Sequence, residues 1–210
     1  MNRLLPTSII FLLACYPTGY RAPSTHKLQL VSFTEANVSA AIRKLKNNLS
    51  SGPDGLPPKL YKLTCSYLAT PLAMLFTQLM SVSAVPEIWK MAIVTPVFKK
   101  GPATDVANYR PISLTCVASK IMERIIVNQM TCFFLDTGVI NKAQHGFLKG
   151  LSTATNLLEA FSDWTVSIQA QKSVTVAYID FAKAFDTVSH PKLLHRLKTY
   201  GIDGCLLNWT

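Results

Sequence analysis

The sequence is short of acidic residues and of charge altogether: Asp and Glu number 11 against 21 Lys and Arg, and charged residues make up only 15% of the chain. That low charged fraction beside 49% hydrophobic residues excludes a chain disordered throughout, because such chains combine little apolar surface with much like charge. There is no C-x-x-C pair and no H-E-x-x-H pattern. The five cysteines (Cys15, Cys65, Cys116, Cys132, Cys205) are odd in number and widely spread, and the four histidines (His26, His145, His190, His195) do not cluster with them. A zinc site of ordinary spacing and a disulfide framework are thereby excluded, and the cysteines are read as reduced thiols. No apolar run reaches the roughly 20 residues of a membrane helix. The run Ser8 to Cys15 behind Arg3 resembles a secretory signal only superficially, since Pro6 interrupts its approach and Tyr16 and Pro17 follow at once. Internal repeats and low-complexity tracts are also absent.

What is present is length enough for a core and a strong positive field. The 210 residues match one large domain or two small ones. A formal charge of +10 points to an acidic partner, either nucleic acid or an anionic membrane surface. Lys and Arg exceed Asp and Glu by seven up to residue 105 and by three beyond it, so the first half carries most of the field.

Residues Pro17 to Lys27 read as a linker. Ser32 and Glu35 have the spacing of a capping box, and Val38, Ile42, Leu45 and Leu49 form one helical stripe. Two glycines and a proline in Ser50 to Gly55 then demand a tight loop. Pro58 opens a second helix through Leu60, Leu63 and Leu68, and Pro71 is expected to end it and start a third with Leu72, Leu75, Phe76 and Leu79. Met91 to Phe98 has strand composition, with Pro96 restricting it to an edge or a bulge. Asn108 to Leu114 reads as the returning strand, and Val117 to Phe134 as a long helix burying Ile121, Met122, Ile125, Ile126 and Met130. Ser152 can cap a helix carrying Leu157, Leu158, Phe161, Trp164 and Ile168. The β-branched run Ser173 to Ile179 predicts a buried strand ending at Asp180. Pro191 opens a last helix with Leu193, Leu194 and Leu197, closed by Gly201.

Asp180 at the end of that predicted strand is a favoured place to hold a divalent cation, because a sheet fixes the backbone while the carboxylate reaches into a cleft. The plain alternative is a turn aspartate. Four segments in order decide between them. They are Ser51-Gly52-Pro53-Asp54-Gly55-Leu56-Pro57; Trp89-Lys90 through Pro96-Val97-Phe98-Lys99-Lys100-Gly101; Asn108-Tyr109-Arg110-Pro111-Ile112-Ser113-Leu114; and Gln144-His145-Gly146-Phe147 through Asp180-Phe181-Ala182-Lys183-Ala184-Phe185-Asp186 to His190. On these segments, from about Phe33 to Trp209, the chain resembles the reverse transcriptases of non-LTR (LINE-type) retrotransposons.

The resemblance implies an α+β fold made of reverse-transcriptase fingers and a partial palm, with residues 1–29 a leader, 30–171 a helical lead-in and fingers, and 172–210 the start of the palm. It implies that Asp180 is a metal-binding catalytic carboxylate and that the carbonyl of Phe181 is a second ligand. The ion would be magnesium, with manganese as a substitute, in two-metal nucleotidyl transfer. It makes Phe185 a gate against the ribose 2′-hydroxyl, where the alternative is a core phenylalanine. Arg110, Lys100 and Lys99 would reach the incoming triphosphate, Arg110 foremost because its fork binds phosphate oxygens bidentately; a solvated hairpin tip is the alternative for the lysines. The implied partners are an RNA template, a DNA primer and a deoxynucleoside triphosphate, without a membrane, inside the cell.

Leu148 and Leu151 stand where the family usually carries basic residues. The carboxylates of the family's later aromatic-Ala-Asp-Asp hairpin do not occur before Thr210, and Asp203 does not substitute for them. The expectation is therefore a fragment truncated before its second catalytic carboxylate motif, inactive alone and holding metal weakly. The rival expectation is a non-catalytic, basic nucleic-acid-binding remnant of a retroelement.

Overall fold

Thr34, not Ser32, starts the first helix. Its hydroxyl accepts from the Asn37 amide at 3.2 Å, while the backbone of Ser32 is clamped from both sides by the carboxamide of Gln129, at 2.9 and 2.7 Å. The expected capping box of Ser32 and Glu35 gives way to this tertiary clamp. Helix α1 (Glu35–Arg43) buries Val38, Ala41 and Ile42; Leu49, the last position of the predicted stripe, lies outside the described residues. The computed structural model describes residues 26–46, 50–181, 184 and 187–210. They fall into two units, Lys27–Met130 with Ile202–Thr210, and His26 with Thr131–Gly201.

In the first unit, α2 (Pro58–Leu63) starts on Pro58 at its first turn, where the missing N–H would have no helical partner anyway. The chain breaks at Thr64, and α3 (Cys65–Ser81) then runs straight through Pro71. The break expected at Pro71 does not occur because that proline lies on the exposed face, so the carbonyl it deprives of a partner is left to water. The buried face of α3 is Cys65, Ala69, Ala73, Phe76 and Met80, not the expected leucines; Leu75 is exposed. Small side chains at Ala69 and Ala73 let α1 pack close. Phe76 joins Phe33 and Trp89 edge-on, with centroids 5.7 and 6.1 Å apart.

Strands β1 (Ile93–Phe98) and β2 (Tyr109–Leu114) pair antiparallel, Pro96 directly opposite Pro111. Lys99 N–H donates to Asn108 C=O at 2.8 Å, which by alternation makes Val97 with Arg110 a hydrogen-bonded pair and the two prolines a non-bonded pair. Their missing donors therefore lie on the outer edges of the ribbon, where they discourage pairing with another chain. Helix α4 (Val117–Asp136) buries Ile121, Met122, Ile125, Ile126 and Met130 as the sequence predicts. At the other end of the chain Ile202 bridges Leu28 in parallel, and Asp203 caps α7 (Gly204–Trp209) through the Gly204 amide while pairing with Lys27, both at 2.9 Å.

In the second unit Phe134, at the end of α4, meets Tyr200 edge-on at 6.2 Å, and α6 (His190–Thr199) buries Leu193 and Leu197. Helix α5 (Thr153–Gln169) carries the predicted Ser152 cap, as a capping box with Thr155, but none of its residues is buried. The strand expected over Ser173–Ile179 is irregular and exposed. β-branched composition favours a pleated, half-buried surface only when a neighbour completes the ladder, and the regular elements among the described residues of this unit are all helices. No helix among the described residues is long and apolar enough to cross a membrane.

Candidate functional site

The ribbon β1–β2 positions the basic candidates. Arg110 lies opposite Val97, and by strand alternation Lys99 continues on the same side; Arg110, Lys99 and Lys100 are all exposed. The connecting loop is well tied: Asn108 Nδ2 donates to Pro102 C=O at 2.8 Å and Tyr109 Oη to Ala103 C=O at 2.9 Å. Gly101 has φ +92°, and a Cβ there would sit 2.8 Å from the Asn108 side chain, so the turn beside the two lysines needs glycine. Three cations are held on one short ribbon, suited to phosphate contacts.

The Ser51–Gly55 loop is built against the junction of β2 and α4. A Cβ on Gly52 would come within 2.5 Å of the Thr115 and Cys116 backbone, so the two segments touch main chain to main chain. Asp54 accepts from the Leu56 amide at 3.2 Å and neighbours Tyr61 and Cys116. Burial first, and then the Asp54 charge, push the Tyr61 hydroxyl up to about 12. Burial also raises the Cys116 thiol, which lies 3.5 Å from the Ile88 carbonyl. Both groups are neutral at physiological pH and serve to join the loop to the ribbon. The motif was visible in the sequence, but its partner Cys116 was not, since nothing in the spacing links them.

His145 is buried and held on both ring nitrogens, by the Thr155 hydroxyl at 2.9 Å and the Glu159 carboxylate at 2.7 Å. It pins the loop Gln144–Leu151 onto α5. Next to it Phe147, half exposed, adopts φ +63°, an uncommon conformation for a bulky side chain. A lone histidine gave no warning of this network.

Asp180 and Phe181 are exposed on the irregular segment of the second unit, whereas Arg110, Lys99 and Lys100 belong to the first. The expected place of Asp180 at the end of a central strand is corrected accordingly. Phe185, with Lys183 and Asp186, lies outside the described residues, as do residues 1–25 of the leader.

A family model described as reverse transcriptase (RNA-dependent DNA polymerase) matches residues 97–210. The chain belongs to the reverse transcriptase family. The matched span begins inside β1 and includes Lys99, Lys100, β2 with Arg110, the His145 loop and Asp180. Over 178 residues the chain is 32% identical to the RNA-directed DNA polymerase from mobile element jockey of Drosophila melanogaster, covering 84% of this chain and 19% of that protein. It is 30% identical over 166 residues to the probable RNA-directed DNA polymerase from transposon BS of the same species, covering 75% and 18%. It is 29% identical over 120 residues to a retrovirus-related Pol polyprotein from type-1 retrotransposable element R2 of Popillia japonica, covering 57% and 16%. The chain thus spans about a fifth of the length of the curated relatives it matches.

Reverse transcriptases use divalent metal ions, and the described residues do not by themselves fit one. Asp180 with the Phe181 carbonyl offers two oxygen ligands to an ion that takes about six. Among the described residues no group of three or more His, Cys, Asp or Glu side chains gathers at one place.

Proposed function

We propose that this chain is the fingers and first part of the palm of an RNA-directed DNA polymerase, which acts on an RNA template, a DNA primer and deoxynucleoside triphosphates as part of a longer protein. The observation that carries this reading is the family match over a span that contains Lys99, Lys100 and Arg110 together with the Asp180–Asp186 motif. Arg110, Lys99 and Lys100 on the ribbon contact the triphosphate. Asp180 and the Phe181 carbonyl supply part of the coordination of magnesium, and Phe185 screens the sugar. Because the described residues offer a single carboxylate here, this chain holds metal weakly alone and does not extend a primer. The test is a titration of the chain with a manganese–deoxynucleoside triphosphate complex, followed by water-proton relaxation. Asp180→Asn and Arg110→Gln are each expected to weaken the complex, and titrations identical to wild type for both remove these residues from the site.

A second reading is favoured by the charge distribution, whose basic excess lies mostly before residue 105. It is a basic nucleic-acid-binding remnant without catalysis. Primer extension by this chain joined to the downstream segment of a relative separates the two: incorporation that depends on Asp180 supports the polymerase reading, and binding without incorporation supports the remnant.

A further inference from the structure

Helices α1 and α4 do not close on each other along their whole length. Between them lies a groove of about 200 Å³ within the first unit. Lys44 and Arg124 line one end, and Asn37, Asn128 and Gln129 continue it, with no carboxylate in the lining. The carboxamide of Gln129 clamps Ser32, accepting from its amide and donating to its carbonyl, and the Asn37 Nδ2 donates to the Ser32 carbonyl at 3.4 Å. The Gln129–Ser32 clamp ties the start of α1 to α4 beside the groove. Arg124 spends one N–H on the Ala41 carbonyl, at 3.4 Å, out of the five that a guanidinium carries. The Lys44 and Asn128 side chains are exposed and make no hydrogen bond within the described residues. The nearest carboxylate along α1, Glu35, accepts from the Thr70 hydroxyl at 2.8 Å, and Glu123 next to Arg124 is not in the lining.

Two unpaired cations and a free carboxamide facing one concave space, with no anion to answer them, make a receptor for an oxyanion. We infer that the α1–α4 groove binds a phosphate group, with Lys44 and Arg124 taking its charge and Asn128 donating to an oxygen. A nucleic-acid backbone and a free phosphate ion share this chemistry. The backbone is the source we assign, and in that respect the inference rests on the polymerase reading. The groove is a second phosphate contact, distinct from the ribbon that carries Arg110, Lys99 and Lys100.

The experiment uses the whole chain, with an RNA–DNA hybrid oligonucleotide followed by fluorescence anisotropy across salt, and inorganic phosphate followed by phosphorus NMR line width. Lys44→Gln removes one exposed cation and Asn128→Asp places an anion in the groove, neither with loss of core packing; Lys172→Gln, in the second unit, controls for net charge. One lost phosphate contact lowers the slope of log affinity against log salt by about 0.7–0.9. The advantage of wild type over each groove variant should therefore shrink about threefold between 50 and 200 mM salt, while Lys172→Gln leaves the slope unchanged. Phosphate broadening lost in the groove variants without any change in oligonucleotide binding would keep the oxyanion site and assign it to the free ion. If both variants match Lys172→Gln in both measurements, the groove is not a phosphate site. Failure of wild type to bind the hybrid at low salt would instead count against the polymerase reading, and the phosphate arm would still decide the groove.

Discussion

Replacing Glu123 by Gln should stabilise the protein at neutral and alkaline pH and do nothing in mild acid. Glu123 sits in the second turn of α4, and although the residue keeps some surface in solvent, its Oε1 is buried without a hydrogen-bond partner. Burial raises its carboxyl from 4.5 to about 7, opposed by the Lys120 charge one turn back and by the Ser119 hydroxyl. A carboxyl whose folded value exceeds its unfolded one contributes stability that is complete below about pH 4.5. It is lost as pH rises to about 7 and stays lost above. At about 1.36 kcal/mol per pH unit the span comes to about 3 kcal/mol, a ceiling because the side chain is not wholly removed from water. Gln keeps the shape of the protonated acid and carries no charge at any pH. Urea denaturation of wild type and Glu123→Gln at pH 4 and pH 8 isolates the effect, since distant titrating groups cancel in the difference. The expected result is near equality at pH 4 and a variant more stable by up to about 3 kcal/mol at pH 8, or roughly 6–12 °C in Tm. A difference that is the same at both pH values would refute the desolvation argument.

Gly52→Ala should destabilise by about 1–3 kcal/mol or more, measured by the same denaturation, because its Cβ would meet the Thr115 and Cys116 backbone at 2.5 Å, which no side-chain rotation relieves. Removing Lys99, Lys100 and Arg110 together should flatten the salt dependence of oligonucleotide binding by roughly two units if all three touch phosphates; an unchanged slope takes the ribbon out of the interface. His145→Ala strips Thr155 and Glu159 of their shared partner and should cost about 1–3 kcal/mol, read most directly as faster amide exchange in residues 144–151 with the ribbon unaffected. Primer extension by the chain alone should stay at the no-protein level, and incorporation abolished by Asp180→Ala would overturn that expectation.

Local signals carried the helices well. The period of Ile121, Ile125 and Met122, Ile126, Met130 is a property of consecutive residues, so the long α4 and its buried face were legible in the sequence, as were the Ser152 cap and the proline start at Pro58. The ribbon was legible too, because two short β-rich runs flank a Lys-Lys-Gly-Pro turn. What misled was Pro71, where an exposed face left the break unnecessary, and the leucines of α3, which lost the core to Ala69 and Ala73. Hydrophobicity ranks residues one at a time, whereas close packing of two helices selects small ones.

The sequence by itself determined the family, through motifs whose order and chemistry survive without coordinates, and the positive field, through the excess of Lys and Arg. It also named Asp180, Arg110, Lys99 and Lys100 as the residues that matter if the family's chemistry is carried here. Only the tertiary structure decided which distant pairs meet. Gly52 against Cys116, His145 between Thr155 and Glu159, and Lys44 across from Arg124 are each joined by folding and by no local rule. It likewise decided against a strand at Ser173–Ile179. A helix satisfies its hydrogen bonds within a few residues of itself and can be read locally, but a strand exists only where another segment completes its ladder.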